Sequence, residues 1–214
     1  MTTGKLITLE GGEGAGKSTQ AALLAAELRA TGIDVVTTRE PGGSPGAEDI
    51  RGLLVAGDTG RWDPMCEALL HSAARRDHVV NLISPAIQRG QWVISDRFAD
   101  STMAYQGYGH QLGAETITEL QRLVIGNFTP DLTLILDLVP DTGLGRAKGR
   151  QTTTAEDRYE RMDGAFHDRV REGFLAISRA EPSRCVVIDA GQGEQQVHDS
   201  IVAAVKQRLG VGAS

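Results

Sequence analysis

The residues with the plainest chemical purpose stand together near the N-terminus: Gly11-Gly12-Glu13-Gly14-Ala15-Gly16-Lys17-Ser18. Glycines and a small alanine let backbone N–H groups turn inward, and inward N–H groups form a nest for anionic oxygens. The spacing fits G-x-x-x-x-G-K-[ST], the P-loop that cradles a nucleotide's phosphate chain. Lys17 would bridge the β- and γ-phosphates. The Ser18 hydroxyl would ligate Mg²⁺, with Thr19 as the weaker substitute.

A second set of chemical residues closes apolar runs further on. Gln91-Trp92-Val93-Ile94-Ser95-Asp96 ends in an acid followed by Arg97 and Phe98. An acid at the end of an apolar strand is the Walker B pattern, a partner for Mg²⁺ or its waters. Asp137 and Asp189 have similar settings, and the adjacent Arg97 favours Asp96. Arg39 ends another strand-like run, and strand ends beside a P-loop are where ligands bind in open α/β sheets. Guanidinium forks suit phosphate oxygens, so Arg39 and Arg97 are candidates for a second phosphate site.

These residues need elements to hold them. Lys5 to Leu9 reads as a buried strand ending at Glu10. Ala21, Leu24, Ala25 and Leu28 mark an amphipathic helix that stops near Gly32. Strand, loop and helix is the setting a P-loop requires, with the phosphates at a helix N-terminus. Further strands are expected at 33–38, 91–96, 132–136 and 185–188. Helices are expected at about 46–54, 64–89 and 114–125. The helix at 64–89 shows an apolar side at Met65, Leu69, Ala73 and Val80, and Pro85 predicts a kink or break in it. Residues 106–110, Gln-Gly-Tyr-Gly-His, read as a Gly-broken patch. Arg146, Lys148, Arg150, Arg158 and Arg161 surround glycines and a Thr run, which reads as a mobile lid at about 143–158. Strands alternating with helices predict an α/β, three-layer P-loop NTPase-type fold with a five-stranded parallel sheet. The chain reads as a single domain, 1–214.

Composition narrows the class. A chain of 214 residues with 40% hydrophobic and 23% charged residues is ordinary for a globular domain. A net charge of −6 gives no electrostatic case for nucleic acid. No apolar run approaches the ~18 residues of a membrane span, and no signal-peptide pattern opens the chain. Cys66 and Cys185 are far apart in apolar settings and read as reduced, buried thiols. A cytoplasmic location is expected by elimination.

Four motifs, taken together and in order, resemble the thymidylate kinase family. They are Glu10 to Ser18, Thr38-Arg-Glu-Pro-Gly-Gly43, Ala73-Ala-Arg75 and Asp96 to Gly107, Asp-Arg-Phe-Ala-Asp-Ser-Thr-Met-Ala-Tyr-Gln-Gly. The resemblance implies transfer of the ATP γ-phosphoryl group to dTMP, and a homodimer. It implies that Arg39 and Arg97 hold the acceptor phosphate, that Arg75 donates to thymine O4, and that Glu13 faces the 3′-hydroxyl. Glu67, His71 and Arg75 share one helix stripe, and Thr102 and Gln106 are candidates for the N3–H side. Tyr105 would lie against the deoxyribose. Asp157 and Glu160 match acids near the acceptor sugar. His71 departs from the family, which usually stacks a Phe on thymine there. The acidic Glu13 in the P-loop implies that the second catalytic cation comes from the lid: Arg150 is the best positional match, with Arg146 and Arg158 in reserve. A kinase for another monophosphate or a nucleoside, or a nucleotide-binding switch, are the competing readings. No N-K-x-D-like guanine motif supports the switch.

Overall fold

The computed structural model describes residues 4–149 and 157–211. Five parallel strands form one sheet: β1 (Leu6–Glu10), β2 (Val35–Arg39), β3 (Trp92–Asp96), β4 (Leu132–Asp137) and β5 (Cys185–Asp189), in the spatial order β2-β3-β1-β4-β5. Their apolar residues cover both faces, as a sheet buried between helices demands. On one face Ile7, Leu9, Ile94, Leu134 and Ile188 pack against α1 (Lys17–Ala30) and α9 (Glu194–Leu209). On the other, Ile135 and Cys185 meet Phe166, Val170, Phe174 and Ile177 of α8 (Gly164–Ala180). Beside them Leu6 and Val93 meet Val79, Ile83 and Ala86.

The register brings three strand ends into line. Leu9 pairs with Asp96, and Asp96 pairs with Arg39 on its other side. Glu10, Asp96 and Arg39 therefore share one sheet edge with the loop that enters α1.

The helices differ from the sequence expectation in informative ways. α2 spans Pro45–Leu54, and α3 spans Pro64–His78, opened by Asp63, whose side chain caps Met65 N and Cys66 N. Helicity does not break at Pro85: a π turn at Val79–Ile83 leads directly into α4 (Ser84–Gln88). Proline is tolerated there because it follows the wider π turn, where the hydrogen-bonding pattern is already changing. The Gly-rich stretch is also helical as far as Gly109: α5 (Ala99–Thr102) widens into a π segment, Met103–Gly109, before α6 (Ala114–Ile125). Its glycines serve packing, since a Cβ on Gly109 would lie 2.7 Å from Phe166.

The expected lid begins inside α7 (Pro140–Gly149), not in a loop. Its Gly143 packs backbone to backbone on the P-loop, where an added Cβ would lie 2.2 Å from Glu13 O. The other end is anchored as well, because Arg158 is only 1% exposed. The apolar side read on α3 faces outward: Met65, Leu69 and Val80 are 38%, 51% and 47% exposed, and Ala73 is exposed too. The inward face of α3 carries Glu67, Ala68, Ser72, Ala74, Arg75 and His78.

Candidate active site

The P-loop closes onto α1 through Gly16, whose φ of 87° lies in the left-handed region that glycine enters freely. Lys17 is buried and donates to Gly12 O at 2.7 Å, so its ammonium curls back over the loop. Burial and the nearby Arg97 lower the Lys17 pKa to about 8. Ser18 Oγ donates to Asp96 Oδ2 in a very short contact. That hydroxyl and carboxylate are hard oxygen ligands. Among the described residues no cluster of three or more His, Cys, Asp or Glu forms a cage for a metal. One hydroxyl, one carboxylate and the substrate's own phosphate oxygens fit Mg²⁺, which keeps several waters. Thr19 is exposed one residue further along α1.

Arg97 links the loop to the rest of the cleft. It takes φ 71°, rare for a residue with a Cβ, directly after β3. This bend aims the side chain at the P-loop, where Nη1 donates to Gly11 O at 2.9 Å. Nη2 donates to Glu13 Oε1 at 2.9 Å and to Tyr105 Oη at 3.0 Å. Tyr105 donates in turn to Glu13 Oε1 at 2.6 Å. Burial alone would raise the Glu13 carboxyl, but Arg97 and Lys17 outweigh it and hold it down at about 2. Glu10, buried under this group, accepts from Phe98 N and Ser101 Oγ. Burial and the charge of Asp100 push its carboxyl up.

A cleft of about 210 Å³ opens beside the loop. It collects residues from six stretches: Glu13 and Ser18, Arg39 to Pro41, Arg51 and Val55, His71 and Arg75, several between Asp96 and Gln106, and Tyr159 with Glu160. Arg39 is half exposed at its mouth and pairs with Glu48 at 3.1 Å. Arg75 is buried at its floor. Its Nε donates to Glu40 Oε2 at 2.8 Å, and its Nη2 donates to Phe98 O and Thr102 Oγ1. Glu40 also contacts His78 Nδ1 at 3.0 Å. Thr102 is thus committed to Arg75 through its oxygen. Gln106 donates from Nε2 to Glu67 Oε1 at 2.7 Å. His71 shares a hydrogen bond with Tyr159 Oη at 2.8 Å, and burial lowers its pKa to about 4, leaving it neutral.

Two expected site residues lie elsewhere. Asp157 is half exposed, pairs with Arg161 at 3.1 Å, and does not line the cleft. Its place on the surface side of a turn is set by its neighbour Arg158, which turns inward instead. Arg158 is no reserve lid cation: it pairs with Glu67 Oε2 at 2.5 Å and donates to the carbonyls of Leu54, Asp58 and Thr59. Arg146 is exposed and donates to Ala190 O. Arg150 lies outside the described residues. Asp137 and Asp189 do not line the cleft, and Asp137 is taken by Arg171 through two bonds of 2.7 and 2.8 Å.

Three contributors had no role in the sequence reading. Glu40 stood inside a quoted motif beside Arg39, but nothing in one sequence reveals a pairing with Arg75. Glu67 stood on the right stripe without an assigned partner. Tyr159 follows the Thr-rich stretch and carried no signal at all.

A family model described as thymidylate kinase matches residues 9–201. The thymidylate kinase of Caulobacter vibrioides is 54% identical over 211 residues, covering 99% of this chain and 100% of that protein. That of Rhizorhabdus wittichii is 50% identical over 207 residues, covering 96% and 99% respectively. Among solved structures, a thymidylate kinase from Ehrlichia chaffeensis superposes with a TM-score of 0.76 at 36% identity, covering 95% of this chain and 99% of that one.

Proposed function

The chain belongs to the thymidylate kinase family, and from that premise we propose that it transfers the ATP γ-phosphoryl group to dTMP, giving dTDP. One observation carries the reading: a single cleft joins Glu13 and Ser18 of the P-loop to Arg39 and Arg97, and then to the polar side chains of Arg75, Thr102 and Gln106. A monophosphate kinase needs those three things in that order. Such an enzyme does little covalent chemistry; positioning and charge neutralisation carry the rate.

The P-loop residues Gly11 to Thr19 hold the ATP phosphates, and Lys17 leaves Gly12 O to meet the β- and γ-oxygens. Mg²⁺ held by Ser18 and Asp96 would neutralise charge on those oxygens. Arg39 and Arg97 grip the dTMP phosphate in line with the donor. Glu13, kept ionised, accepts the sugar 3′-hydroxyl, with Glu160 beside it at the cleft wall. Tyr105 closes the space beside the sugar, and its ring is held edge-on by Tyr159 and Phe166. Arg75 has Nη1 left over for thymine O4, and Thr102 keeps that guanidinium in place. Gln106 takes the N3–H, and His71, neutral, stacks on the base. Arg150 supplies the second transition-state cation from the lid, a role that the buried Arg158 is not placed to share.

The outward stripe of Met65, Leu69 and Ala73 on α3 and Val80 on the π turn after it, with Leu123 84% exposed on α6, is the face of a homodimer. Sedimentation of Leu69→Glu, expected monomeric against a dimeric parent, tests it. A buried free Cys185 whose thiol burial pushes up to about 12 suits the cytoplasm, and among the described residues no helix is long and apolar enough to cross a membrane. The activity is tested by ADP release with dTMP, dUMP, dCMP, GMP and thymidine as acceptors. Turnover with dTMP well above all others is expected, and turnover on GMP or thymidine instead would reject the assignment.

A further inference from the structure

Glu67 is fully buried behind the part of the cleft wall formed by His71, Gln106 and Tyr159, and it contacts side chains that come from other elements, Tyr159 among them. Its Oε1 accepts from Gln106 Nε2 at 2.7 Å and stands 3.3 Å from His110 Nε2. Its Oε2 meets Arg158 Nη2 at 2.5 Å. Burial would raise this carboxyl, but His110, His71 and Arg158 together bring it down to about 2. It is therefore ionised at any working pH and offers only acceptors.

An acceptor-only neighbour decides which way a glutamine amide points. With Nε2 committed to Glu67, Oε1 is the amide atom that Gln106 has left for the cleft it lines. An acceptor there matches a base with an N–H at position 3, as thymine and uracil have. Cytosine carries a lone pair at that atom and would meet oxygen against nitrogen.

We propose that Glu67 is the positioning residue for acceptor selectivity: it acts through Gln106, holding the amide so that Oε1 faces the base and cytosine is refused. This rests on the monophosphate-kinase reading above. Arg158 makes the arrangement one-directional. It holds Oε2 in a close buried ion pair while its own guanidinium is held by three carbonyls of the Leu54–Thr59 stretch. In Glu67→Gln the arginine would claim the new Oε1, which would turn Nε2 toward Gln106. The Gln106 amide would then flip and present a donor to the cleft.

The test is steady-state kinetics of Glu67→Gln with dTMP, dUMP and dCMP. The dTMP to dCMP ratio of kcat/KM is expected to fall by about tenfold or more, as one reversed buried hydrogen bond implies. The change should lie mainly in KM. The dTMP to dUMP ratio should hold, because those two bases share the same edge. Glu67→Gln in a Gln106→Leu background should produce no further loss of the dTMP to dCMP ratio. A ratio unchanged in the single variant, or effects that multiply in the double variant, would overturn the proposal. If the parent itself does not use dTMP, the kinase reading fails first and is seen to fail separately. Should Glu67→Gln not fold, hydrogen exchange of the Gln106 side-chain amide in the parent carries the test. Protection that persists on dTMP binding is expected, and rapid exchange in the complex would overturn the proposal.

Discussion

The two halves of the cleft are built on different principles. On the proposed donor side the ligand would be met mostly by backbone N–H groups of consecutive residues, Gly11 to Lys17, plus one ammonium. On the proposed acceptor side they are side chains from β2, α3, the α5 region and the turn after residue 156, and apart from the exposed Arg39 they lean on other buried side chains. Glu40 orients Arg75, Glu67 orients Gln106, and Arg97 ties Tyr105 to Glu13. A backbone nest is rigid once the helix behind it forms. A side-chain wall is as rigid as its supporting charges, so the two sides should fail in different ways.

The largest contrast is expected at Lys17. Lys17→Ala should leave folding intact, because the lysine's protein partner is one loop carbonyl, while kcat/KM for ATP falls by about 10³-fold or more. Circular dichroism and turnover measured together check this, and a variant with near-normal turnover would remove the donor assignment. Arg158→Met should behave in the opposite way. It leaves Glu67 ionised and buried without its cation, so urea denaturation should show a loss of about 3 kcal/mol. Stability within error of the parent would mean the acceptor wall does not depend on that pair.

Arg97→Ala tests a residue that spans both sides, bonding to Gly11 O and Glu13 of the loop and to Tyr105. It should lower kcat/KM for dTMP by about 10²-fold through the lost phosphate grip. Its effect on ATP affinity should be smaller, and equal losses for both substrates would merge the two halves into one unit. The smallest effect is expected at His71. Because burial holds its pKa near 4, His71 is already deprotonated and neutral above about pH 5.5, so His71→Phe should leave the pH profile for dTMP unchanged. KM for dTMP should improve a few-fold through added apolar contact, since the imidazole offers less surface to a base. A profile that changes between pH 5.5 and 8 on this substitution would place a charged histidine at the base.

What the sequence determined by itself is the part in which function follows from neighbours in the chain. The P-loop, its strand and its helix are contiguous, so eight residues and their spacing suffice to name the chemistry. The five strands were legible as well, because each is a short apolar run between turn signals, and the parallel sheet follows from their alternation with helices. What only the tertiary structure decided is every pairing between distant residues. The sequence shows an apolar stripe on α3 and a polar one, and local pattern assigns the apolar stripe to the core. The structure turns the polar stripe inward, because Glu67, Arg75 and His78 find buried partners on β2, the α5 region and the turn at 157–160, and leaves Met65 and Leu69 outside. Arg158 shows the same limit. Among the charges around the glycines it looks like one more solvated cation, yet it is buried where three carbonyls and a carboxylate converge from residues about a hundred positions away. The cost of burying a charge is set by partners that one sequence does not display, and for that reason the donor half of the site could be read and the acceptor half had to be seen.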